Sequence, residues 1–432
     1  MGGGVAGLVA AWRLAAAGCR VTLAEKEDRL GGLAASFTPA AGVRLERYYH
    51  FICKPDREYL SLLDELGLGH RLRWVTTAMG FFHAGRLRPL GEPFSLLAHP
   101  DLGLADKLRF AVGSARAKAG REDSWKSIEN TPAVDWLSSV FGKRVHDLLY
   151  RPLLEKKFRR HAGRISAAWM WSRLNRLGRS RTLLQRERLG YVEGGSQVLI
   201  DALAARLRVL GVEVRLGAGV ERLAFSAGRV EAALVGGDKV PVDCMLSTVP
   251  IPRLLPLLQG LSGAYFDRLR ALDSLHVRTA VMRLRQPLTR FFWTNINDAR
   301  IDLPGLIEYT NLNPMRELGG DAIVYLPQYL GEDHLLWHEP DDRLVELYTS
   351  CLGLINPEFS PGWIEGAWVF RTAHAQPICE VGFSSQIPSI CTPVPNLFLT
   401  DSCQLHPHDR TISKSVALGD SAARHILAGR PF

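Results

Sequence analysis

The chain has 432 residues, 47% of them hydrophobic and 22% charged, with a formal net charge of +9 at pH 7. That length buries a large core and fits two structural units, and the composition is that of a globular protein, which excludes disordered and fibrous classes. No run of about 18 uncharged apolar residues occurs, so no spanning helix is expected, and the seven scattered cysteines, none spaced C-x-x-C, argue for reduced thiols in a cytoplasm and against a disulfide scaffold or zinc cluster.

The chain opens "MGGGVAGLVAAWRLAAAGCRVTLAEKEDRLGGL". Gly2, Gly4 and Gly7 form G-x-G-x-x-G, the turn that lets backbone approach a diphosphate at a helix N-terminus. The Ala/Leu-rich stretch after Val5 predicts a helix stopped by Gly18. "CRVTLAE" then reads as a buried strand ending at Glu25, placed where a ribose hydroxyl needs an acceptor. A glycine pair, Gly31 and Gly32, follows, preceded by Arg29; it brings a second loop to the same dinucleotide.

Only Met1 precedes the turn, where a buried parallel strand is expected. The sequence reads as N-terminally truncated. Losing about four buried side chains at ~1.5–3 kcal/mol each rivals a domain's ~5–15 kcal/mol stability. A form that folds poorly and holds its cofactor weakly is therefore expected, with a Val/Ile-rich strand encoded upstream.

Further on, "DREYLSLLDELGLG" predicts an amphipathic helix with Asp56 as N-cap, and "GFFHAGRLRPL" a hairpin turning near Gly85. Residues 105–185 read as helical. Arg151 to Arg188 is the densest basic segment, with Phe158, Trp169 and Trp171 interleaved. It fits a solvated face with its aromatics turned inward, an anionic membrane surface, or an anionic substrate; no nucleic-acid motif accompanies it. "GGSQVLIDALAARLRVLG" predicts a helix, followed by strands with glycine turns to Pro250. More strands are expected over 276–375, with a helix near 341–353. "PNLFLT" reads as a strand ending at Asp401, and residues 412–428 as the last helix. "HPHDR" (His406, His408, Asp409, Arg410) fits a polar loop beside the bound cofactor, a surface segment or a metal pair, with Pro407 against the last.

These motifs resemble the flavin-containing amine oxidase superfamily, which includes protoporphyrinogen oxidases, phytoene-type desaturases and, more distantly, UDP-galactopyranose mutases. The resemblance implies an α/β fold: a Rossmann-like FAD-binding domain from 1–75, 190–260 and 392–432, its first strand missing, with an inserted α+β substrate domain over 76–189 and 261–391. It implies FAD held by Gly2, Gly4, Gly7, Glu25, Lys26, Arg29, Gly31, Gly32, Leu33, Val220, Thr248, Asp401, Ile412 and Ser413, with the last helix N-terminus facing the flavin's O2/N1 edge. His50, in a presumed strand beside Tyr48 and Tyr49, is the best catalytic candidate together with Tyr49; aromatic core is the other reading of these residues.

Amine oxidases often carry a lysine in the strand matching "LHVRTAVMRLRQPL". Here Arg278 and Thr279 are the nearest polar residues, and an inward Arg278 would suit a carboxylate or phosphate. The implied activity is FAD-dependent removal of hydride from a C–H or N–H bond of a small molecule, anionic or lipophilic. The alternatives are a flavin-dependent nucleotide-sugar mutase and an inactive FAD-binding scaffold from a truncated gene. No metal and no nucleic acid is expected; a peripheral contact with the anionic inner membrane face is.

Overall fold

The computed structural model describes residues 1–429 apart from 41, 92–94, 96–97 and 182–185. Two short parallel pairs form the nucleotide-binding layer: Thr22–Ala24 with Glu213–Arg215, and Met245–Ser247 with Leu397–Leu399. Met1–Gly3 lie between them. The Met1 nitrogen donates to Leu246 O (2.6 Å), Thr248 N to Met1 O (3.0 Å), and Gly2 N to Ala24 O (2.8 Å).

Against this layer pack the helices Val5–Ala16, Gln197–Val209 and Ile412–Ala428. Leu8, Val9, Leu203, Leu207 and Val416 form their common core. The first and last helices cross at Gly419, where a Cβ would lie 2.5 Å from Ala6 O. That close approach fixes the last helix's start beside the first helix's start. An antiparallel meander, Val220–Ser226, Arg229–Val235 and Asp238–Pro241, flanks the layer. The architecture is α/β, with a Rossmann-like layer joined to a second, α+β body.

The second body is built on a seven-stranded sheet in the order Ile364–Pro377, Ser274–Leu284, Ala322–Leu330, Gly305–Glu308, Trp293–Ile296, Met79–His83, Arg86–Leu90. Every pairing is antiparallel except Trp293–Ile296 with Met79–His83. The two-residue strand period sorts its side chains. Ala280, Met282, Leu284, Val324 and Leu326 pack under the Asp341–Ile355 helix through Leu344, Tyr348 and Leu352. Val281, Ile323 and Tyr325 belong to a core on the opposite face. A layer of helices, Leu104–Ala119, Ala133–Phe141, Arg151–Phe158 and Ala167–Arg179, covers the remaining side around Phe141, Phe158, Trp169 and Met170.

Two local expectations fail for physical reasons. Asp56 precedes the Arg57–Glu65 helix but makes no side-chain cap; its carboxylate instead accepts from Cys53 N (2.8 Å) and pairs with Arg176 (2.6 Å). His50 sits in no strand, because the strand before it stops at Glu46. The basic segment is not a bare cationic face. Arg159, Arg160, Arg164, Arg173 and Arg176 pair with Asp302, Asp333, Glu380, Asp409 and Asp56, while Trp169 and Trp171 are buried. Residues 182–185 of that segment lie outside the described residues.

Candidate active site

A cavity of about 710 Å³ runs from the glycine turn to the start of the last helix, within the range of sites that enclose a cofactor. Its shape at the glycine end follows from residues without side chains. A Cβ on Gly7 would lie 1.9 Å from Gly2 O, so only glycine lets the first helix begin against that turn. A Cβ on Gly4 would meet nothing within 4 Å, because that side opens onto the cavity. Gly31 (φ 115°) and Gly32 (φ 56°) occupy the left-handed region, and a Cβ on Gly32 would come within 3.2 Å of Gly4 Cα. Two glycine loops thus meet at the mouth of a helix N-terminus, a cradle that fits a diphosphate.

Glu25 is buried in this wall; Oε2 accepts from Gly3 N (2.6 Å) and Oε1 from Glu27 N (2.9 Å). Each oxygen retains a lone pair for a ribose hydroxyl. Lys26, Leu33 and Val220 line the same end. Thr248 also lines it, and its hydroxyl, 3.1 Å from both Met1 O and Gly2 O, buttresses the turn. Asp401 lines the cavity while its carboxylate accepts from Cys403 N (2.7 Å) and Ile251 N (3.0 Å). At the far end Thr411 caps the last helix through Lys414 N (3.1 Å), leaving Ile412 and Ser413 in the wall. The Ser413 hydroxyl is turned aside to Glu58 Oε2 (2.7 Å), so at that residue the helix start offers its backbone N–H and not its hydroxyl.

Two expected residues are not brought to the cavity wall. Arg29 points outward and holds Asp28 (2.7 Å). Arg278, fully buried, lies on the other face of the sheet, where its guanidinium donates to Asp341 Oδ1 (2.6 Å) and Leu336 O. Strand alternation explains this: Val277 and Thr279 face the cavity, so Arg278 cannot. The Thr279 hydroxyl is buried there without a hydrogen-bond partner among the described residues.

His50 and Tyr49 do line the cavity. Glu46 fixes His50: Oε2 accepts from His50 N (3.1 Å) and lies 3.4 Å from Nδ1, while Oε1 accepts from Ser196 N (2.8 Å). Burial alone would raise the Glu46 carboxyl, but His50 and Ser196 outweigh it and hold it below the usual range. Tyr49 sits edge-on to Trp293 (5.6 Å); burial pushes its hydroxyl well above ordinary tyrosine. The neighbouring Tyr48 hydroxyl meets Thr372 Oγ1 at 2.6 Å.

Beyond His50 lies a polar cluster of which sequence reasoning saw Asp409 and Arg410, as a polar loop, but not the partners they meet. Asp409 accepts from Arg173 (2.7 Å) and faces Lys157 Nζ (3.9 Å). Burial would raise this carboxyl, yet Lys157, Arg173 and Arg410 together bring it down to about 2. Lys157 Nζ lies over the rings of Trp169 (4.6 Å), Tyr329 (4.7 Å) and Phe158 (5.4 Å). The available signal was spacing: Leu154, Lys157 and Phe158 fall on one helical stripe that is otherwise apolar. In "HPHDR" the structure separates the histidines. His408, Asp409 and Arg410 line the cavity; His406 is buried behind it against Trp125 and Phe383.

A second, larger cavity of about 1290 Å³ adjoins the first and shares Phe51, Leu153, Arg173, Leu177 and Trp293 with it. Its walls are mostly apolar, including Met79, Phe81, Phe110, Phe141 and Met170, with Lys107, Lys118, Arg179 and Arg181 among them.

The family model for flavin containing amine oxidoreductases matches residues 5–427. Coproporphyrinogen III oxidase of Mycobacterium tuberculosis (strain ATCC 25618 / H37Rv) is 30% identical over 310 residues, covering 66% of this chain and 66% of that protein. The match thus spans just under two thirds of that relative's length. A solved structure described as a protoporphyrinogen oxidase from Exiguobacterium sp. 255-15 superposes with TM-score 0.76 at 20% identity, covering 99% of this chain and 98% of that one. Reduced UDP-galactopyranose mutase superposes with TM-score 0.74 at 18% identity, covering 100% and 95%. Both structural likenesses are likenesses of fold.

Proposed function

The chain belongs to the flavin-containing amine oxidoreductases, a family of FAD-dependent enzymes, and we propose that it oxidises a porphyrinogen-like substrate: large, apolar-faced and carrying carboxylates. The observation that carries this reading is the second cavity. At about 1290 Å³, and mostly apolar, it is far roomier than a small diamine needs, and it joins the cofactor cavity through Phe51, Arg173 and Trp293. Lys107, Lys118, Arg179 and Arg181 give it positive potential suited to carboxylates. The similarity to coproporphyrinogen III oxidase supports the same class.

Gly2, Gly4, Gly7, Gly31 and Gly32 would hold the FAD diphosphate, Glu25 its ribose, and the backbone of Ile412 and Ser413 its flavin end. Bound there, FAD supplies hydride acceptance at N5. The chain's own work is positioning. Tyr49, Trp293 and Tyr329 exclude water where the two cavities meet, His50 is oriented by Glu46, and Arg173 is fixed by Asp409. Anaerobic mixing with coproporphyrinogen III should bleach the flavin absorbance, a two-electron step; admitting oxygen to reoxidise the flavin for the three such steps a porphyrin needs should then produce porphyrin fluorescence. Flavin that stays oxidised with both coproporphyrinogen III and protoporphyrinogen IX would sink this reading.

No helix among the described residues is long and apolar enough to cross a membrane. A peripheral contact with an anionic membrane has another basis. On the Leu104–Ala119 helix, Leu104 and Leu108 are 82% and 67% exposed at the apolar cavity, on a helix that also carries Lys107, Arg109, Arg116 and Lys118. Co-sedimentation with phosphatidylserine vesicles should be lost in Leu104→Asp/Leu108→Asp; undiminished binding would refute the contact.

A further inference from the structure

We propose that Lys157 is the proton acceptor of the substrate site, its amine held in the cavity wall by three aromatic rings and by one carboxylate too distant to bond it. The inference rests on the oxidase reading above and goes beyond it by naming where the proton goes. Oxidising a porphyrinogen at a bridging CH2, or an amine at its α-carbon, removes more than a hydride. The C–H electron pair leaves with its hydrogen to FAD, the oxidant. The nitrogen lone pair is drawn into the new π bonding, through the pyrrole ring in the first case and directly in the second; the N–H electrons then stay on nitrogen, and the proton left over needs a base. Bulk water serves poorly in a cavity walled by Tyr49, Trp293 and Tyr329.

Lys157 meets the requirements of such a base. It sits on the Arg151–Phe158 helix, lines the cofactor cavity and is only 5% exposed. Nearly every buried lysine ammonium is hydrogen-bonded or closely paired. This one faces ring systems on three sides, and its sole ionic partner among the described residues is Asp409 Oδ2 at 3.9 Å, an oxygen already held by Arg173 at 2.7 Å. The adjacent Lys156 shows the contrast, with Nζ donating to three carbonyls, those of Ile296, Asp298 and Ile301, at 2.7–3.0 Å.

The groups facing Lys157 are Asp409, which favours its charged form, Arg173 and Arg410, which oppose it, and Cys379. Burial outweighs the carboxylate and brings the amine down to about 7, where a neutral, proton-accepting form is populated at neutral pH. Three histidines also line this wall, each with Nδ1 turned to a neighbour: His50 to Glu46 (3.4 Å), His408 to Ser172 Oγ (2.9 Å) and His374 to Ser274 Oγ (3.1 Å).

The test uses the FAD-loaded 432-residue chain, labelled with lysine carrying ¹³C at Cε, with Lys157→Arg assigning the resonance. Titration of that resonance near neutrality supports the proposal; titration near the ordinary value of about 10.4 overturns it. In parallel, anaerobic flavin bleaching is followed with coproporphyrinogen III and with putrescine as probes. Lys157→Met should slow bleaching at pH 8 by about 100-fold or more and remove the limb near neutrality from the pH profile, with FAD content unchanged. Lys157→Arg should do the same although it keeps the charge. Full activity in Lys157→Arg would mean that the residue serves only as a cation, and would overturn the proposal. If neither probe bleaches the flavin, the oxidase reading falls, and Lys157 as a base is judged on its titration alone.

Discussion

Gly7→Ala is expected to purify without FAD. The added Cβ would fall 1.9 Å from Gly2 O and 2.9 Å from the Thr248 hydroxyl. Neither can yield cheaply: Gly2 O is backbone, and Thr248 braces the same turn by its contacts with Met1 O and Gly2 O. The turn must move by an ångström or more, and the diphosphate loses its aligned N–H groups together with the helix N-terminus behind them. Misplacement on that scale costs roughly 100-fold in function, so the ratio of flavin to protein should fall to background. Gly163→Ala, whose Cβ would meet nothing within 4 Å, should retain normal flavin content. A yellow Gly7→Ala protein would contradict the placement of the diphosphate.

Asp409→Ala carries the second large effect, on stability. The carboxylate balances Arg173, Lys157 and Arg410 in a mostly buried setting. Removing one partner of such a cluster strands the opposite charges, at a cost of about 3–5 kcal/mol, to be read from denaturant unfolding at neutral pH. The sign of the pH dependence follows from the depressed folded value of about 2. Asp409 contributes stability that is fully present above its unfolded value of about 3.9 and lost as pH falls through about 2. The wild type should lose this contribution on acidification, whereas Asp409→Ala, already without it, should show a shallower decline. Adding Lys157→Met to Asp409→Ala should change stability little, because the Lys157 amine, without the carboxylate that favours its charge, is already neutral at neutral pH. An Asp409→Ala protein as stable as wild type would mean that the cluster is solvated, and the low-dielectric setting invoked for Lys157 would go with it.

The cofactor end of the site was legible because its signals are local. Gly2, Gly4 and Gly7 are dictated by a turn and a helix start within seven residues, and Glu25 directly follows the next strand of the same unit. The last helix, expected over 412–428, begins at Ile412 because Thr411 caps it. The substrate end depends on which elements tertiary packing brings together, and no short window encodes that. Arg278 and Thr279 were both visible as polar residues in an apolar strand. Which of them faces the cavity was set by the neighbouring strands and by the Asp341–Ile355 helix that claims Arg278 through Asp341.

Lys157 was hidden differently. Within "LLEKKFRR" it reads as one charge in a solvated run, and only the docking of Trp169, Tyr329 and Asp409, from three distant segments, makes it a buried amine. Asp56 misled for the converse reason. It is a good local cap by residue type, but Arg176 offers it a buried ionic partner, and that outweighs a solvent-side cap.

The account's central claim is that FAD spans the cavity from the paired glycine loops to the start of the last helix. The most direct test is to incubate the purified 432-residue chain with excess FAD, remove what is unbound, and measure flavin absorbance together with the mass of the cofactor released on denaturation. The account predicts roughly one FAD per folded chain, tighter than the short start of the sequence suggests because Met1–Gly3 are themselves bonded between the two parallel pairs, with the flavin protected from solvent quenchers. A folded chain that carries no FAD and takes up none would contradict it.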